Sequence, residues 1–316
     1  ANMLLPESVT SKQARKLLGV SSNELDGIPL AALDAAIVQP IRALTDSGGH
    51  AWRSFAMLAA CDAVGGDSRA LLEWIALPEL LHAGSTIVGA GAQTNAIAGS
   101  TCFTLAQRLL DRVDVPDRAK LDLYDHYFAA VRSAQVGQGL EGGDGGKEEF
   151  MTLLQKAVGD GNTEQLEAAL LCTYRLKTGT PAGALMQIGA IGGAGEAEHI
   201  EVLGEFGRKT GLGFQLASDV QALRSADVPT GCVTMPVVKA IGKCRTRTER
   251  QAIVDAVCGR RGDLVALVEE AGGCAACMAV AIGLVEDGWK SIASPAIMPD
   301  SYHKIMLRAF SLHLVQ

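Results

Sequence analysis

WIALPELLHAGSTIVGAGAQTNAIAGSTC, running from Trp74 to Cys102, reads as a helix, a glycine-broken elbow and the start of a second helix. Spacings of three and four place His82, Ser85 or Thr86, Gly89 and Gln93 on one helical face. That face is small and polar, and apolar residues flank it at Leu77, Leu81, Ile87 and Val88. Bulk water would favour Lys and Glu there, so the pattern predicts a cavity wall or a close helix contact.

Helical period continues on both sides of this stretch and strand alternation is scarce. Helices are expected over 11–18 with Ser11 as cap, 28–44 with a kink at Pro40, 51–64, 100–113, 116–136 and 163–177 with a bend at Pro181. Further helices are expected over 196–223, up to Lys243, 248–258, 263–285 and 301–314. Glu141 to Lys147, rich in glycine, is expected to be a flexible loop. The chain of 316 residues is 48% hydrophobic, enough for one all-α domain over 1–316 with a substantial core. Ala1-Asn2 reads as a cloning remnant, and no signal peptide precedes Met3.

A net charge of −7, from 28 basic and 35 acidic residues, argues against nucleic acid or a charged membrane surface as partner. No apolar run reaches the roughly 18 residues a membrane span needs. Eight scattered cysteines point to a reducing, cytoplasmic setting. Cys274-Ala-Ala-Cys277 lies in an apolar helical run without a second pair, so it reads as core rather than as a metal or redox site.

Several motifs together resemble the trans-isoprenyl diphosphate synthases, the polyprenyl synthetase family. Leu80-Leu81-His82 matches the family's LLH, which six residues later runs into a DDxxD-type motif. Gly48-Gly49-His50-Ala51-Trp52-Arg53-Ser54 resembles GGKRxRP, Gly137-Gln138 a Gly-Gln pair, and Lys177-Thr178 the KT motif with its fixed spacing to Gly189-Ala190. Phe206-Gly-Arg-Lys-Thr-Gly-Leu-Gly-Phe214-Gln215 matches FG…GLAFQ, and Asp227 to Pro236 a DxxxGKxTLP pattern with Cys232 at the Lys. The resemblance implies an isoprenoid-synthase-type helical bundle around a central cavity, and a homodimer joined through helices between Ala96 and Val136. It also implies diphosphate contacts from His50, Arg53 and His82 on one side and from Lys177 and Thr178 on the other. Read from the residues alone, Arg53 can grip an anion bidentately, His50 can help only when protonated, and Lys177 suits a solvated surface equally well.

The departures concern the carboxylates. Gly89-Ala90-Gly91-Ala92-Gln93 stands where the first Asp-rich motif belongs, and Leu216-Ala-Ser218-Asp219-Val-Gln-Ala222 keeps one acid of the second. Mg²⁺ rests on carboxylate and phosphate oxygens, so the family's trinuclear cluster is not expected, no metal ligand is assigned, and no cofactor is expected. Ordinary Mg²⁺-dependent elongation is expected to be absent. Three readings follow. The first is a metal-independent cyclase or isomerase acting on a hydrophobic isoprenoid-like or polyene substrate. Asp219 and His82 are its expected acid–base groups, with Glu79 and Cys102 as further ones. Gly89, Gln93, Phe103, Phe214 and Gln215 would line its pocket. The second is a non-catalytic subunit paired with an active synthase, and the third a residual prenyltransferase. Aromatic residues are only 4% of the chain, which disfavours cation–π walls for a carbocation cyclase.

Overall fold

TPAGALMQIGAIG (Thr180–Gly192) is apolar on every side, and a helix of that kind has to be enclosed. In the computed structural model it is the axis of the molecule, with Pro181 to Ile191 buried. The structure describes Leu5 and residues 9–19, 23–46, 51–89 and 93–316, apart from the side chains at 16, 17, 23 and 93–95. Among the described residues the regular elements are all helical, as the periodicity predicts. In order they are α1 (Ser11–Leu18), α2 (Leu30–Leu33), α3 (Gln39–Thr45), α4 (Trp52–Ala63), α5 (Leu77–Gly89), α6 (Gln93–Leu110), α7 (Asp117–Gly142) and α8 (Asp144–Asp160). There follow α9 (Glu164–Tyr174), α10 (Thr180–Gly192), α11 (Ala197–Arg224), α12 (Met235–Lys243), α13 (Arg247–Val257), α14 (Leu264–Glu270), α15 (Gly273–Ala293) and α16 (Tyr302–His313).

Helix α10 packs against α4, α7 and α11, and α11 in turn lies along α15. The contact with α4 is backbone to backbone: a Cβ at Gly189 would stand 1.9 Å from the Met57 carbonyl oxygen, so only glycine allows this approach. One apolar cluster joins α3–α7 to α10 around Trp74, Leu81, Leu109 and Tyr127. A second gathers α8, α9 and α11–α15 around Leu216 and Val285. A third, around Trp52, Met186, Phe206 and Leu307, ties α4, α10 and α11 to α16.

Proline explains two irregularities. Pro40 and Pro181 lack the N–H that an α-turn needs, and their rings crowd the carbonyl four residues earlier. Each is preceded by a five-residue π-turn, Asp34–Val38 and Arg175–Gly179, which widens the helix without ending it. The second of these turns carries Lys177 and Thr178.

Three boundaries differ from the sequence reading. Thr10, not Ser11, caps α1, through a capping box with Gln13. The 263–285 helix is two helices, because Gly272 takes a left-handed conformation (φ 72°) between α14 and α15. The expected flexible loop at 141–147 is helical except at Gly143. Glu141 belongs to α7, and α8 resumes at Asp144, with the Lys147 N–H bonded to the Gly143 carbonyl. Glycine content suggested a loop there, but the carboxylate of Glu141 is held by a partner described below.

Cys274 and Cys277 are buried in the core. No single helix among the described residues is long and apolar enough to cross a membrane; α14 and α15 together are, but they are bent by 68°. Ile97, Leu121, Phe128, Val136 and Leu140 on α6 and α7 are large apolar residues left exposed.

Candidate functional site

A cavity of about 640 Å³ opens where the start of α4, the length of α5, the end of α7, the second π-turn and α11 converge. Its walls include Trp52, Arg53, Glu79, Leu81, His82, Ser85, Gly89, Gln138, Lys177, Thr178, Phe214, Gln215 and Ser218. Motifs far apart in the chain therefore meet at one place. Ala51 enters α4 in the left-handed region (φ 44°), a conformation that costs a non-glycine residue on the order of 1 kcal/mol.

Arg53 stacks on the aromatic wall, its guanidinium carbon 4.6 Å from the centre of the Trp52 ring and 5.9 Å from that of Phe214. Burial pushes its pKa down to about 10, against the opposing effect of Glu79, so it remains a cation at neutral pH. The carboxylate of Glu79, one helical turn before Ala83 on α5, accepts a hydrogen bond from Ser54 Oγ at 3.2 Å. His82 is half-buried between the two cations of the cavity. Burial first, then Arg53 and Lys177, lower its pKa to about 3. It is therefore neutral at physiological pH, which leaves the imidazolium form out of its expected acid–base role.

Lys177 is neither a solvated lysine nor an open anion contact. Its ammonium is ion-paired with Glu141 of α7, and both side chains are largely enclosed. Glycine at 137 makes this possible: a Cβ there would lie 2.4 Å from the Lys177 backbone nitrogen. α7 thus lies directly on the π-turn, and Glu141, four residues on, falls on the same face. Glu141 was missed in the sequence because the glycine run hid its helix. The usable signal was its i+4 relation to the Gly137-Gln138 pair.

Asp219 is placed differently from its expected role. It does not line the cavity but stands in a cleft behind it, with Glu141, Lys147 and Cys232. Its carboxylate accepts from the Tyr174 hydroxyl, from Gln215 Nε2 at 3.0 Å and from the Met235 N–H at 3.2 Å. Gln215 Oε1 in turn accepts from the Thr178 hydroxyl at 2.7 Å. Asp219 is the root of a polar clamp that joins the π-turn, α11 and the start of α12. Burial raises its pKa to about 6 despite three hydrogen bonds that favour the charged form. Tyr174, the other buried member of the clamp, carried no signal in the sequence.

Phe103, expected in the wall, is instead a core residue wedged against α5, its ring 2.7 Å from where a Gly84 Cβ would be. Cys102 is also in the core, and burial pushes its thiol up to about 12, so it offers no thiolate. Gly89, Thr178, Phe214, Gln215 and Arg53 line the cavity. His50 lies outside the described residues, as does the side chain of Gln93.

Among the described residues no group of three or more His, Cys, Asp or Glu side chains stands close enough to share a metal ion. The carboxyl group in the cavity wall is that of Glu79, which bonds to Ser54 and sits beside Arg53. This donor set does not fit a cluster of Mg²⁺ ions, which needs several converging oxygen ligands.

No family model matches the chain. The geranylgeranyl diphosphate synthase of Methanosarcina mazei is 26% identical over 230 residues, 64% of this chain and 66%, just under two thirds, of that protein. The mitochondrial geranylgeranyl pyrophosphate synthase 10 of Arabidopsis thaliana is 26% identical over 274 residues, 76% of each. Among solved structures, geranylgeranyl pyrophosphate synthetase from Pyrococcus horikoshii aligns over 97% of both chains with a TM-score of 0.71 at 19% identity. A polyprenyl synthase from Caulobacter crescentus, complexed with calcium and isoprenyl diphosphate, aligns over 98% of both chains with a TM-score of 0.68 at 18% identity. The fold is that of the polyprenyl synthases, and the sequence relatives point to the same enzymes.

Proposed function

We propose, taking this chain as a divergent relative of the trans-isoprenyl diphosphate synthases, that it is a repurposed isoprenoid-cavity enzyme. It works without the family's Mg²⁺ cluster, as a cyclase or isomerase on a hydrophobic isoprenoid-like or polyene substrate. One observation carries the reading: Arg53, His82 and Lys177 converge on a cavity walled in part by Trp52, Leu81 and Phe214, from which the Asp-rich motifs are missing. Without carboxylates to gather metal, departure of a diphosphate loses its main source of charge stabilisation, several kcal/mol in magnitude. What remains is a pocket in which Trp52, Leu81 and Phe214 hold an apolar chain and Glu79 is the acid–base group in the wall. A proton moved by Glu79 between two carbons of a polyene leaves its atoms and electrons balanced.

The test pairs two measurements. Farnesyl or geranylgeranyl diphosphate with isopentenyl diphosphate and Mg²⁺ should give no elongated product. Solvent extraction of the purified protein, followed by mass spectrometry, should release an isoprenoid or polyene. Elongation at ordinary synthase rates would overturn the proposal.

A second reading, a non-catalytic subunit of an active synthase, has its own support in the exposed apolar row Ile97, Leu121, Phe128, Val136 and Leu140. Either a homodimer or a synthase partner would cover that row. Stable co-purification with a prenyl diphosphate synthase, together with an empty cavity, would favour it over the first.

A further inference from the structure

We propose that Glu141 sets the charge of the ligand this cavity accepts, so that the polar end of its hydrophobic ligand is neutral or singly negative rather than a diphosphate. The inference rests on the reading of the cavity as an isoprenoid site and names the chemistry of that ligand's head.

Two cations line the cavity, Arg53 and Lys177. Glu79 shares the wall with Arg53, and Glu141 pairs with Lys177 from the neighbouring cleft. His82, between the cations, adds no charge of its own. The charges in the cavity wall and the Glu141–Lys177 pair therefore cancel, and the cleft behind adds Lys147 together with the carboxylates Asp219 and Asp227, so no excess of positive charge among the described residues is left for an anion. A phosphomonoester already carries roughly −1.5 to −2 at neutral pH, and a diphosphate carries more. To reach Lys177 such a group has to displace or crowd the Glu141 carboxylate, with no metal cluster to absorb the excess.

The pair is not an incidental surface contact. Its side chains retain 25% and 32% of their accessible area, so water screens them incompletely. Gly137 holds α7 against the Lys177 backbone, which fixes the register that brings Glu141 to the ammonium. A neutral oxygen is served better. The indole N–H of Trp52, a wall residue only 5% exposed, has no acceptor among the described residues. A hydroxyl or carbonyl oxygen satisfies such a donor without disturbing the Glu141–Lys177 pair.

The experiment titrates farnesol, farnesyl monophosphate and farnesyl diphosphate into the protein with EDTA present, followed by tryptophan fluorescence and calorimetry. Wild type should bind farnesol at least tenfold more tightly than the diphosphate. Glu141→Gln keeps the shape and removes the charge; it should tighten diphosphate binding tenfold or more and leave farnesol within about twofold. Lys177→Gln, a second variant that leaves Glu141 without its cation, should weaken the diphosphate further. A wild type that binds the diphosphate most tightly, or a Glu141→Gln variant with an unchanged preference, overturns the inference while leaving the isoprenoid cavity intact. Binding of none of the three compounds overturns both, because the cavity then does not receive prenyl chains.

Discussion

Asp219→Asn tests whether Asp219 is a clamp. In the fold its pKa is raised to about 6, chiefly by burial, whereas an unfolded aspartate titrates near 4. The folded chain then holds the proton more tightly than the unfolded chain. Its contribution is fully present below about pH 4 and is lost as pH rises through 6. A displacement of about 2 pH units corresponds to about 3 kcal/mol. Asparagine cannot titrate, so it lacks this slope, but it brings its own defect. The Tyr174 hydroxyl and the Met235 N–H both donate to one Asp219 oxygen, and an amide in its place offers either a single acceptor or a competing N–H. A mismatched buried donor costs about 1–3 kcal/mol. The variant should therefore be less stable than wild type at pH 4 by about that amount, and equal or more stable at pH 7. Urea unfolding followed by far-UV circular dichroism at four pH values between 4 and 7 measures this directly. A stability difference that stays constant over the whole range would refute the argument, because it would mean that Asp219 is not a buried acid with a raised pKa.

Two other substitutions probe contacts that shape the site. Gly137→Ala should gain about 1 kcal/mol of helix propensity but lose about 1–3 kcal/mol to overpacking against the Lys177 backbone. The urea midpoint should fall, and the Glu141–Lys177 pair should loosen with it. Lys304→Met removes a fully buried ammonium that donates to the Ala293 and Met298 carbonyls and to Asp300. The two carbonyls left without a donor should cost about 2–4 kcal/mol, read as a drop in melting temperature.

The helices were legible because their apolar residues recur with helical period over long windows, and the convergence of Arg53, His82, Lys177 and Gln215 was legible through motif order. What was not legible depended on three-dimensional pairing. The partner of Lys177 is Glu141, on a different helix and hidden in a run of glycines. The role of Asp219 is decided by Tyr174 and by the N–H of Met235, neither of which any spacing marks. His82 reads as an acid–base group in the sequence, yet burial beside two cations keeps it neutral at physiological pH. Phe103 has the composition of a pocket wall, but Gly84 leaves it a slot in the core. In each case the residue type was read correctly and its neighbour was not, and the neighbour determined the chemistry.

The two stretches compared above with Asp-rich motifs, around Gly89 and Asp219, also differ in how they are packed. The first motif's place begins at Gly89, and a Cβ there would come within 2.5 Å of Gln138 Nε2, so the neighbouring amide occupies the space a side chain at 89 would need. At the second motif, Ser218 faces the cavity as a neutral wall, while Asp219 turns behind it to hold Tyr174, Gln215 and the start of α12. A side chain at 89 would meet only the end of the flexible Gln138 side chain, whereas freeing Asp219 for a metal has to break the clamp that positions Thr178 and Gln215 in the wall. A metal-binding role for Asp219 therefore competes with contacts that define the cavity. The role of Asp219 is thus set by the packed structure as much as by its place in the sequence.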